Sequence, residues 1–346
     1  MPSKNYNISD FGEKKLIKRL LFRSQKLPFK STFFDQLSIK SWSDDAALLD
    51  FGDSYIVATS DLLLESAHFP EKMTFRQMGQ KIVTVNASDL AAMGSNPIGI
   101  ILAMGLPRDM LITDFDELVD GILEACQKYQ MALIGGDTNE SAELTLCGTC
   151  IGIVPKDKVL MKSGAEEGDV VAVTGPLGLA AAGFEVLFGK ELKIKELNPD
   201  FKDRVLKHAL APEARLEKGV LLGKTGAVTS ATDITDGLIS EIGEIIDASP
   251  DGVGITLYED MIPIPPEVRE VAEIMDKNPL EMALYYGEDF ELLVTIKKDG
   301  FMDLKHSLEL HQIGYVDSSG QITMIDKDGK TEIIKPKGYE HFKKSG

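Results

Sequence analysis

The stretch SWSDDAALLD, residues 41–50, places two adjacent aspartates, Asp44 and Asp45, directly before an apolar run typical of a buried strand. A buried carboxylate is strongly unfavourable unless it is paired, hydrogen-bonded, bound to a cation or protonated. Aspartate also favours turns, so a turn before a strand explains the pair when the stretch is taken alone. The other acids of the chain decide between a turn and a functional role.

The composition is that of an ordinary globular protein, with 346 residues, 43% of them hydrophobic and 27% charged. One core rarely organises a chain of this length, so we expect two domains. The net charge of −18 disfavours nucleic acid and anionic lipid as partners. The sequence has no apolar run of membrane-spanning length, and its first residues lack the apolar core of a secretory signal. With only three cysteines, these features predict a cytoplasmic protein.

Apolar periodicity predicts alternating helices and strands along the chain. The predicted helices cover residues 10–27, 75–94, 114–130, 212–222 and 237–248. The predicted strands cover residues 55–60, 98–107, 142–155, 228–233, 253–257 and 291–296. The pattern therefore favours a mixed α/β (α+β) fold in two halves.

The segments between these elements are read from glycine, proline and charge. MALIGGDT (131–138) is expected to turn out of a further strand, and the charged residues 189–203 to form an exposed connection. Residues 296–301 are predicted to be a turn, and 321–334 a hairpin through Asp328-Gly329. A change of texture after Pro155 predicts the domain boundary there.

Further acids lie, like Asp45, in small or apolar surroundings: Asp61, Glu65, Asp89, Asp137, Asp233, Asp236, Glu288 and Asp289. Taken singly, each is equally well explained as a strand end, a helix cap or a turn. Several follow a strand-like run directly, and α/β folds gather ligand sites at the ends of strands. Carboxylates with neighbouring hydroxyls, such as Thr59 and Ser60, are hard oxygen donors suited to Mg²⁺. The pattern therefore indicates a metal cluster that would admit phosphates once loaded.

Other chemistries have weaker signals. TGPLG (174–178) resembles a phosphate-binding turn, but a single glycine turn is mostly structural. Cys147 and Cys150 lie three apart on a predicted strand and so face opposite sides, which favours core cysteines over a zinc site. His68 lies near the acids, although a single histidine is more often a packing or capping residue.

The order of these motifs resembles the thiamine-monophosphate kinase family of the aminoimidazole-ribotide-synthetase-like superfamily. The match is collinear over nearly the whole chain and rests on FGEKKLIKRL, SDDAALLD, TSDLLLESAHF, VNASDLAAMG, LIGGDT, MKSGAEEGD, VTGPLG, DITDGL, GEDFEL and GYEHF. The resemblance implies an N-terminal domain (1–155) that binds ATP and Mg²⁺ and whose sheet pairs across a homodimer, and a C-terminal α/β domain (156–346). The implied reaction is ATP-dependent phosphorylation of thiamine monophosphate to thiamine diphosphate, with several Mg²⁺ ions.

The same resemblance implies site residues. Those implied for Mg²⁺ are Asp45, Thr59, Ser60, Asp61, Asp89, Asp137, Asp233 and Asp236. Those implied for the nucleotide are Gly136, Asp137, Lys162 and Thr235, and those for the substrate are His68, Glu288 and Pro336. No residue is expected to act as a general base, because the acceptor is a phosphate that is already anionic. In-line transfer then needs charge neutralisation and positioning.

The sequence departs from the family pattern mainly around the acceptor. The departures are Ser43 for Gly, Glu65-Ser66-Ala67 in a loop that usually has Gly or a small residue, Lys162 for Arg, Tyr286 for Gly, and Pro336 for an aromatic residue. Two alternatives therefore stay open. One is an ATP-dependent kinase or synthetase of the same superfamily with another small-molecule acceptor. The other is a non-catalytic paralogue that binds nucleotide and metal.

Overall fold

The structure is a computed structural model that describes residues 13–24 and 44–335. Its helices are α1 (Glu13–Ser24), α2 (Glu65–His68), α3 (Phe75–Ala92), α4 (Ile112–Lys128), α5 (Leu179–Phe188), α6 (Glu191–Ile194), α7 (Pro199–Leu210), α8 (Leu216–Thr225), α9 (Leu238–Ala248), α10 (Pro266–Met275), α11 (Pro279–Tyr285) and α12 (Lys298–Leu304). Its strands are β1 (Ala47–Phe51), β2 (Ser54–Leu64), β3 (Asn96–Pro107), β4 (Ala132–Ser141), β5 (Thr145–Pro155), β6 (Val170–Val173), β7 (Val228–Asp233), β8 (Gly254–Tyr258), β9 (Leu292–Ile296), β10 (His311–Asp317), β11 (Ile322–Ile325) and β12 (Thr331–Ile334).

The first sheet has five strands in the order β1-β2-β5-β3-β4, antiparallel except for the parallel pair β3–β4. Burial alternates along β5, as expected for a sheet with one covered face. Helix α3 packs against β2 and β5, and α4 packs against α3. The opposite face keeps large apolar side chains exposed, and the register places Leu49, Phe51, Leu62 and Ile101 on it.

The second sheet has seven strands in the order β12-β11-β8-β10-β6-β9-β7, antiparallel except for β11 beside β8. The central strands β6 and β9 are buried at every residue, which agrees with their continuous apolar sequences. The mixed α/β fold with two sheets is therefore confirmed. The hairpin predicted through Asp328-Gly329 is confirmed by the antiparallel pairing of β11 with β12.

Helix α3 lies between the two sheets and is the structural centre of the chain. It begins with a capping box, in which the Thr74 hydroxyl and the Gln77 amide satisfy each other's backbone. It contacts β2 on one side and α8 and β7 on the other. A Cβ on Gly219 of α8 would lie 2.1 Å from the Ala91 carbonyl oxygen, so only glycine permits this close approach. Groups carried by α3 therefore face both sheets.

Three predicted connections are wrong, because each belongs to a helix or strand. MALIGGDT does not turn, since β4 continues through Gly135 and Gly136 as an edge strand. Residues 189–203 contain α6 and the start of α7, which Asn198 caps. Residues 298–304 form α12 rather than a turn. None of the helices in the described ranges has the length and apolar composition that a membrane crossing requires.

Candidate functional site

Four aspartates meet where α3 lies between the two sheets: the half-buried Asp45, Asp61 and Asp89 and the buried Asp233. They come from the residues before β1, from β2, from α3 and from the end of β7. Burial raises the pKa of each above the usual 3.8, to about 6 for Asp61 and about 8 for Asp233. After burial, the charges of the other three raise the pKa of Asp89 further, so the carboxyl groups are electrostatic neighbours. We call these four residues the acid cluster.

Threonine hydroxyls from both sheets hold the acid cluster. Thr59 donates a hydrogen bond through Oγ1 to Oδ2 of Asp89, and it lies two residues before Asp61, on the same side of β2. Thr232 on β7 donates through Oγ1 to Oδ1 of Asp45 over 3.1 Å. The cluster is therefore fixed from both domains.

Lys162 supplies a positive charge to the acid cluster. Its Nζ lies 2.7 Å from Oδ1 of Asp45 and 2.6 Å from Oε2 of Glu244. Burial lowers the pKa of Lys162, but the carboxylates of Asp45 and Glu244 outweigh burial and raise it. The backbone N–H of Lys162 donates to Oδ1 of Asp44 over 2.9 Å, and burial raises the pKa of Asp44 to about 6. Both adjacent aspartates of the opening stretch, Asp44 and Asp45, are therefore bound to one lysine.

The acid cluster still has oxygens that a cation could occupy. Within residues 13–24 and 44–335, no group of three or more His, Cys, Asp or Glu side chains is arranged to hold a metal ion. Even so, Oδ2 of Asp45, Asp61 and Asp233 is buried without a hydrogen-bond partner among those residues. Unpartnered buried carboxylate oxygens are strongly unfavourable, and they are the donor type that Mg²⁺ selects. The donor set therefore fits a hard divalent cation.

Two further predicted residues lie beside the cluster, in the loop after β7. The backbone N–H of Asp236 donates to Oε1 of Glu241 over 3.1 Å. The carbonyl oxygen of Thr235 accepts from the N–H of Glu288 over 2.9 Å. This loop therefore connects the acids of α9 with a residue predicted to bind substrate.

Three predicted residues are placed away from the acid cluster. Ser60 points to the face opposite Thr59 and Asp61, where its hydroxyl bonds Gly148 O at 3.0 Å, so this hydroxyl does not reach the acids. Asp137 is exposed on β4, in the register row of Leu62 on that same face. A Cβ on Gly136 would lie 2.0 Å from Leu102 O, so strand packing alone accounts for this glycine.

The two described residues predicted to bind substrate are joined by Lys81 of α3. Its Nζ lies 2.8 Å from both carboxylate oxygens of Glu288 and 3.0 Å from the carbonyl oxygen of His68. Nδ1 of His68, at the end of the short helix α2, accepts from the N–H of Leu64, the last residue of β2, over 3.0 Å. Pro336, the third predicted substrate residue, and Ser43 lie outside the described residues.

Sequence reasoning missed three charged residues of this region: Lys81, Glu241 and Glu244. Burial raises the pKa of Glu241 well above its usual value, and the charge of Glu244 adds to the rise. The available signal was a charged residue within an apolar helix face, since Lys81 lies three residues after Met78 and Glu241 lies four residues before Ile245.

The weaker motifs have structural roles. At the TGPLG turn, the N–H groups of Gly178 and Ala180 donate to the Asp289 carboxylate over 2.8 and 3.3 Å. That carboxylate takes the place that a phosphate would need at the start of α5. Cys147 and Cys150 are free, and Cys150 is buried beside Met131. The predictions of a structural turn and of a core cysteine at 150 are confirmed, whereas the core prediction is wrong for Cys147, which is half-buried on the opposite face of the sheet.

Family models match both halves of the chain. The AIR synthase related protein N-terminal domain matches residues 43–154, and the AIR synthase related protein C-terminal domain matches residues 166–327. The thiamine-monophosphate kinase of Pyrococcus horikoshii is 34% identical over 90% of this chain and 94% of that protein. The one from Bacillus subtilis is 33% identical over 87% of this chain and 92% of that protein.

Solved structures agree with these sequence matches. AaThiL, complexed with AMPPCP and TMP, superposes with a TM-score of 0.83 at 27% identity, covering 98% of this chain and 100% of that one. The hydrogenase maturation protein HypE in complex with ATP has a TM-score of 0.67 at 18% identity, covering 96% of this chain and 98% of that one, which shows a shared fold alone.

Proposed function

This chain belongs to the thiamine-monophosphate kinase family of AIR synthase related proteins, and we propose that it phosphorylates thiamine monophosphate to thiamine diphosphate with ATP. It is a phosphotransferase. The observation that carries the proposal is the acid cluster with Lys162, built from both domains around α3. Such a site is suited to polyphosphate once its negative charge is neutralised.

Magnesium is proposed to supply that neutralisation, since Asp45, Asp61, Asp89 and Asp233 offer the oxygens it prefers. Lys162, freed from the carboxylates it now contacts, would bind phosphate oxygens as a point charge. Thr235 and the Gly136–Asp137 pair keep their predicted roles at the nucleotide, and Thr59, Ser60, Asp137 and Asp236 theirs at the metal. For Asp137 this is proposed although its side chain lies on the face of the first sheet opposite the acid cluster. Ser60 would act there through its backbone, because its hydroxyl faces away.

The acceptor is proposed to lie against His68 and Glu288, with Pro336 as a further contact. Its phosphate is anionic at neutral pH, so the chain needs to orient it rather than to remove a proton. No general base is assigned, and the transfer is proposed to be in line between two fixed phosphates. Residues 1–155 would supply most of the ATP and Mg²⁺ site, and residues 156–346 the Lys162 and Asp233 side.

A homodimer is proposed to form through the first sheet. The register brings Leu49, Phe51, Leu62 and Ile101 to one exposed face, and Phe51 and Leu62 are 63% and 54% exposed. An apolar face of this kind is typical of an interface. Three free cysteines agree with work in the reducing cytoplasm, where the two substrates are also expected.

The test is an ADP-release assay with thiamine monophosphate and a panel of other small phosphate and hydroxyl acceptors, with and without Mg²⁺. We expect Mg²⁺-dependent ADP release with thiamine monophosphate and thiamine diphosphate as the product by mass spectrometry. ADP release with another acceptor alone would favour the related kinase or synthetase. Tight ATP binding without ADP release from any acceptor would favour the non-catalytic paralogue.

A further inference from the structure

Lys81 is a buried lysine whose contacts all lead to the proposed acceptor residues. Its side chain is 1% exposed, within the otherwise apolar part of α3. Two contacts at 2.8 Å go to Oε1 and Oε2 of Glu288, and one at 3.0 Å goes to the carbonyl oxygen of His68. An ammonium group has three N–H donors, so these three contacts satisfy it completely.

The backbone around Glu288 is fixed independently of Lys81. Glu288 has a φ of +65°, in the left-handed region that side chains other than glycine rarely adopt. Its N–H donates to Thr235 O over 2.9 Å, and a Cβ on Gly287 would lie 1.8 Å from that same oxygen. Because the backbone is held at Thr235, the contact with Lys81 decides where the Glu288 carboxylate points.

The short helix α2 depends on polar contacts for its position, because none of its residues is buried. The N–H of Glu65 donates to Leu144 O over 2.9 Å, and the N–H of Ser66 donates to Oε2 of Glu143 over 2.8 Å. These bonds hold the beginning of the helix. The bond from Lys81 holds its end, at His68.

We propose that Lys81 is a positioning residue for the acceptor: one ammonium sets the Glu288 carboxylate and the His68 turn at a fixed separation across the domain contact. This inference rests on the proposed function, because it takes His68 and Glu288 as acceptor contacts. A lysine with a purely structural role would need hydrogen-bond acceptors, and these could come from any part of the fold. Here every hydrogen-bond acceptor of Lys81 belongs to His68 or Glu288, one from each domain.

The test compares wild type with Lys81→Met, Glu288→Gln and the double variant. Lys81→Met keeps an unbranched side chain only one atom shorter and removes the charge and the donors. We expect it to raise the KM for thiamine monophosphate about tenfold while kcat and the KM for ATP change by less than about threefold, because acceptor binding alone is weakened. The double variant should be no worse than the worse single variant, because both act through one contact.

Arg215→Met is the matched control. Arg215 is half-buried, and it binds both oxygens of a fully buried carboxylate, that of Glu291, over 2.8 and 2.5 Å. The Arg215→Met variant should have a lower melting temperature but should not show the selective rise in the KM for thiamine monophosphate. Equal changes in both KM values for Lys81→Met, or the same change in Arg215→Met, would overturn the inference.

Hydrogen–deuterium exchange separates this inference from the proposed function. Faster exchange at residues 65–68 in Lys81→Met, but not in Arg215→Met, supports positioning even if wild type acts on another acceptor, and the KM comparison is then made with that acceptor. Unchanged exchange in that segment would overturn positioning whatever the acceptor is. A wild type inactive with thiamine monophosphate, with these exchange changes present, would remove the proposed acceptor alone.

Discussion

Nζ of Lys162 lies 2.7 Å from Oδ1 of Asp45, and both side chains are less than one-tenth exposed. The pair joins the residues before β1 to the segment between β5 and β6, which connects the two sheets. Breaking a buried ion pair from one side leaves an uncompensated charge, which is more unfavourable than losing both partners. The stability of the protein without ligand and the proposed binding of phosphate oxygens therefore depend on the same lysine.

Replacement of Lys162 by Met should destabilise the Mg²⁺-free protein by about 3 kcal/mol, because Asp45 then keeps a buried charge or must take up a proton. Urea unfolding in EDTA measures this. Lys162→Arg, which keeps the charge, should retain most of the stability. Lys156→Met is the control: it removes an exposed ion pair with Asp50 of β1 and should leave the free energy of unfolding unchanged. Equal stability of wild type and Lys162→Met would contradict the role of the pair.

The free energy of unfolding in EDTA should fall as pH rises from about 4 to about 8. The carboxyl pKa values in the folded state are raised, to about 6 in Asp61 and about 8 in Asp233. Folding then favours the protonated form, so the stability these groups contribute is fully present below about pH 4 and is lost through pH 8. The slope is about 1.4 kcal/mol per pH unit for each titrating group.

Added Mg²⁺ should stabilise the protein more at pH 8 than at pH 5.5, because a metal ligand must be ionised. Asp233→Asn should flatten the fall in the free energy of unfolding between pH 6 and 8, and this flattening should be the same with and without EDTA. The remaining slope includes Asp289, outside the cluster, whose pKa burial raises to about 7. A Mg²⁺ effect that is equal at both pH values would argue against metal at these acids.

Asp137→Asn should lower kcat about 100-fold, since a group that stabilises transition-state charge contributes on that scale. Its side chain is exposed on an edge strand, so the melting temperature should stay that of wild type. Steady-state kinetics at limiting and saturating Mg²⁺ measure the effect. Near-normal turnover at limiting Mg²⁺ would show that Asp137 is not a metal ligand.

Leu62→Asp should convert the proposed dimer into monomers, because it places a charge on the exposed apolar face of the first sheet. Sedimentation equilibrium at micromolar concentration measures this. Leu192→Asp on α6, where the leucine is 79% exposed away from this sheet, should leave the assembly unchanged. A wild-type chain that sediments as a monomer would contradict the proposed interface.

Local sequence predicted most helices and strands because apolar periodicity reports directly on burial. It failed where one residue type serves two structures. The pair Gly135-Gly136 is typical of a turn. In β4, however, a Cβ on Gly136 would lie 2.0 Å from Leu102 O, whereas a Cβ on Gly135 would have no neighbour within 4 Å. The requirement at Gly136 comes from a neighbouring strand, about thirty residues away, so no local pattern reports it.

The site was predictable in its residue types but not in its geometry. Acids in apolar surroundings correctly indicated the buried group that includes Asp61 and Asp233. Alternation along β2 alone would have separated Ser60 from Thr59. The contact between Lys81 and Glu288 spans 207 positions, and only the packing of both sheets on α3 brings the two together.

Helix α3 carries Lys81 and Asp89 on one continuous rod. They are eight residues apart, which corresponds to about 12 Å of rise. A helix enclosed by two sheets does not stretch, so α3 fixes the distance between the acceptor end and the metal end of the site. Molecules that differ in length from the fitting acceptor must be accommodated by the exposed α2 turn, and that turn is where variants with altered selectivity should first be sought.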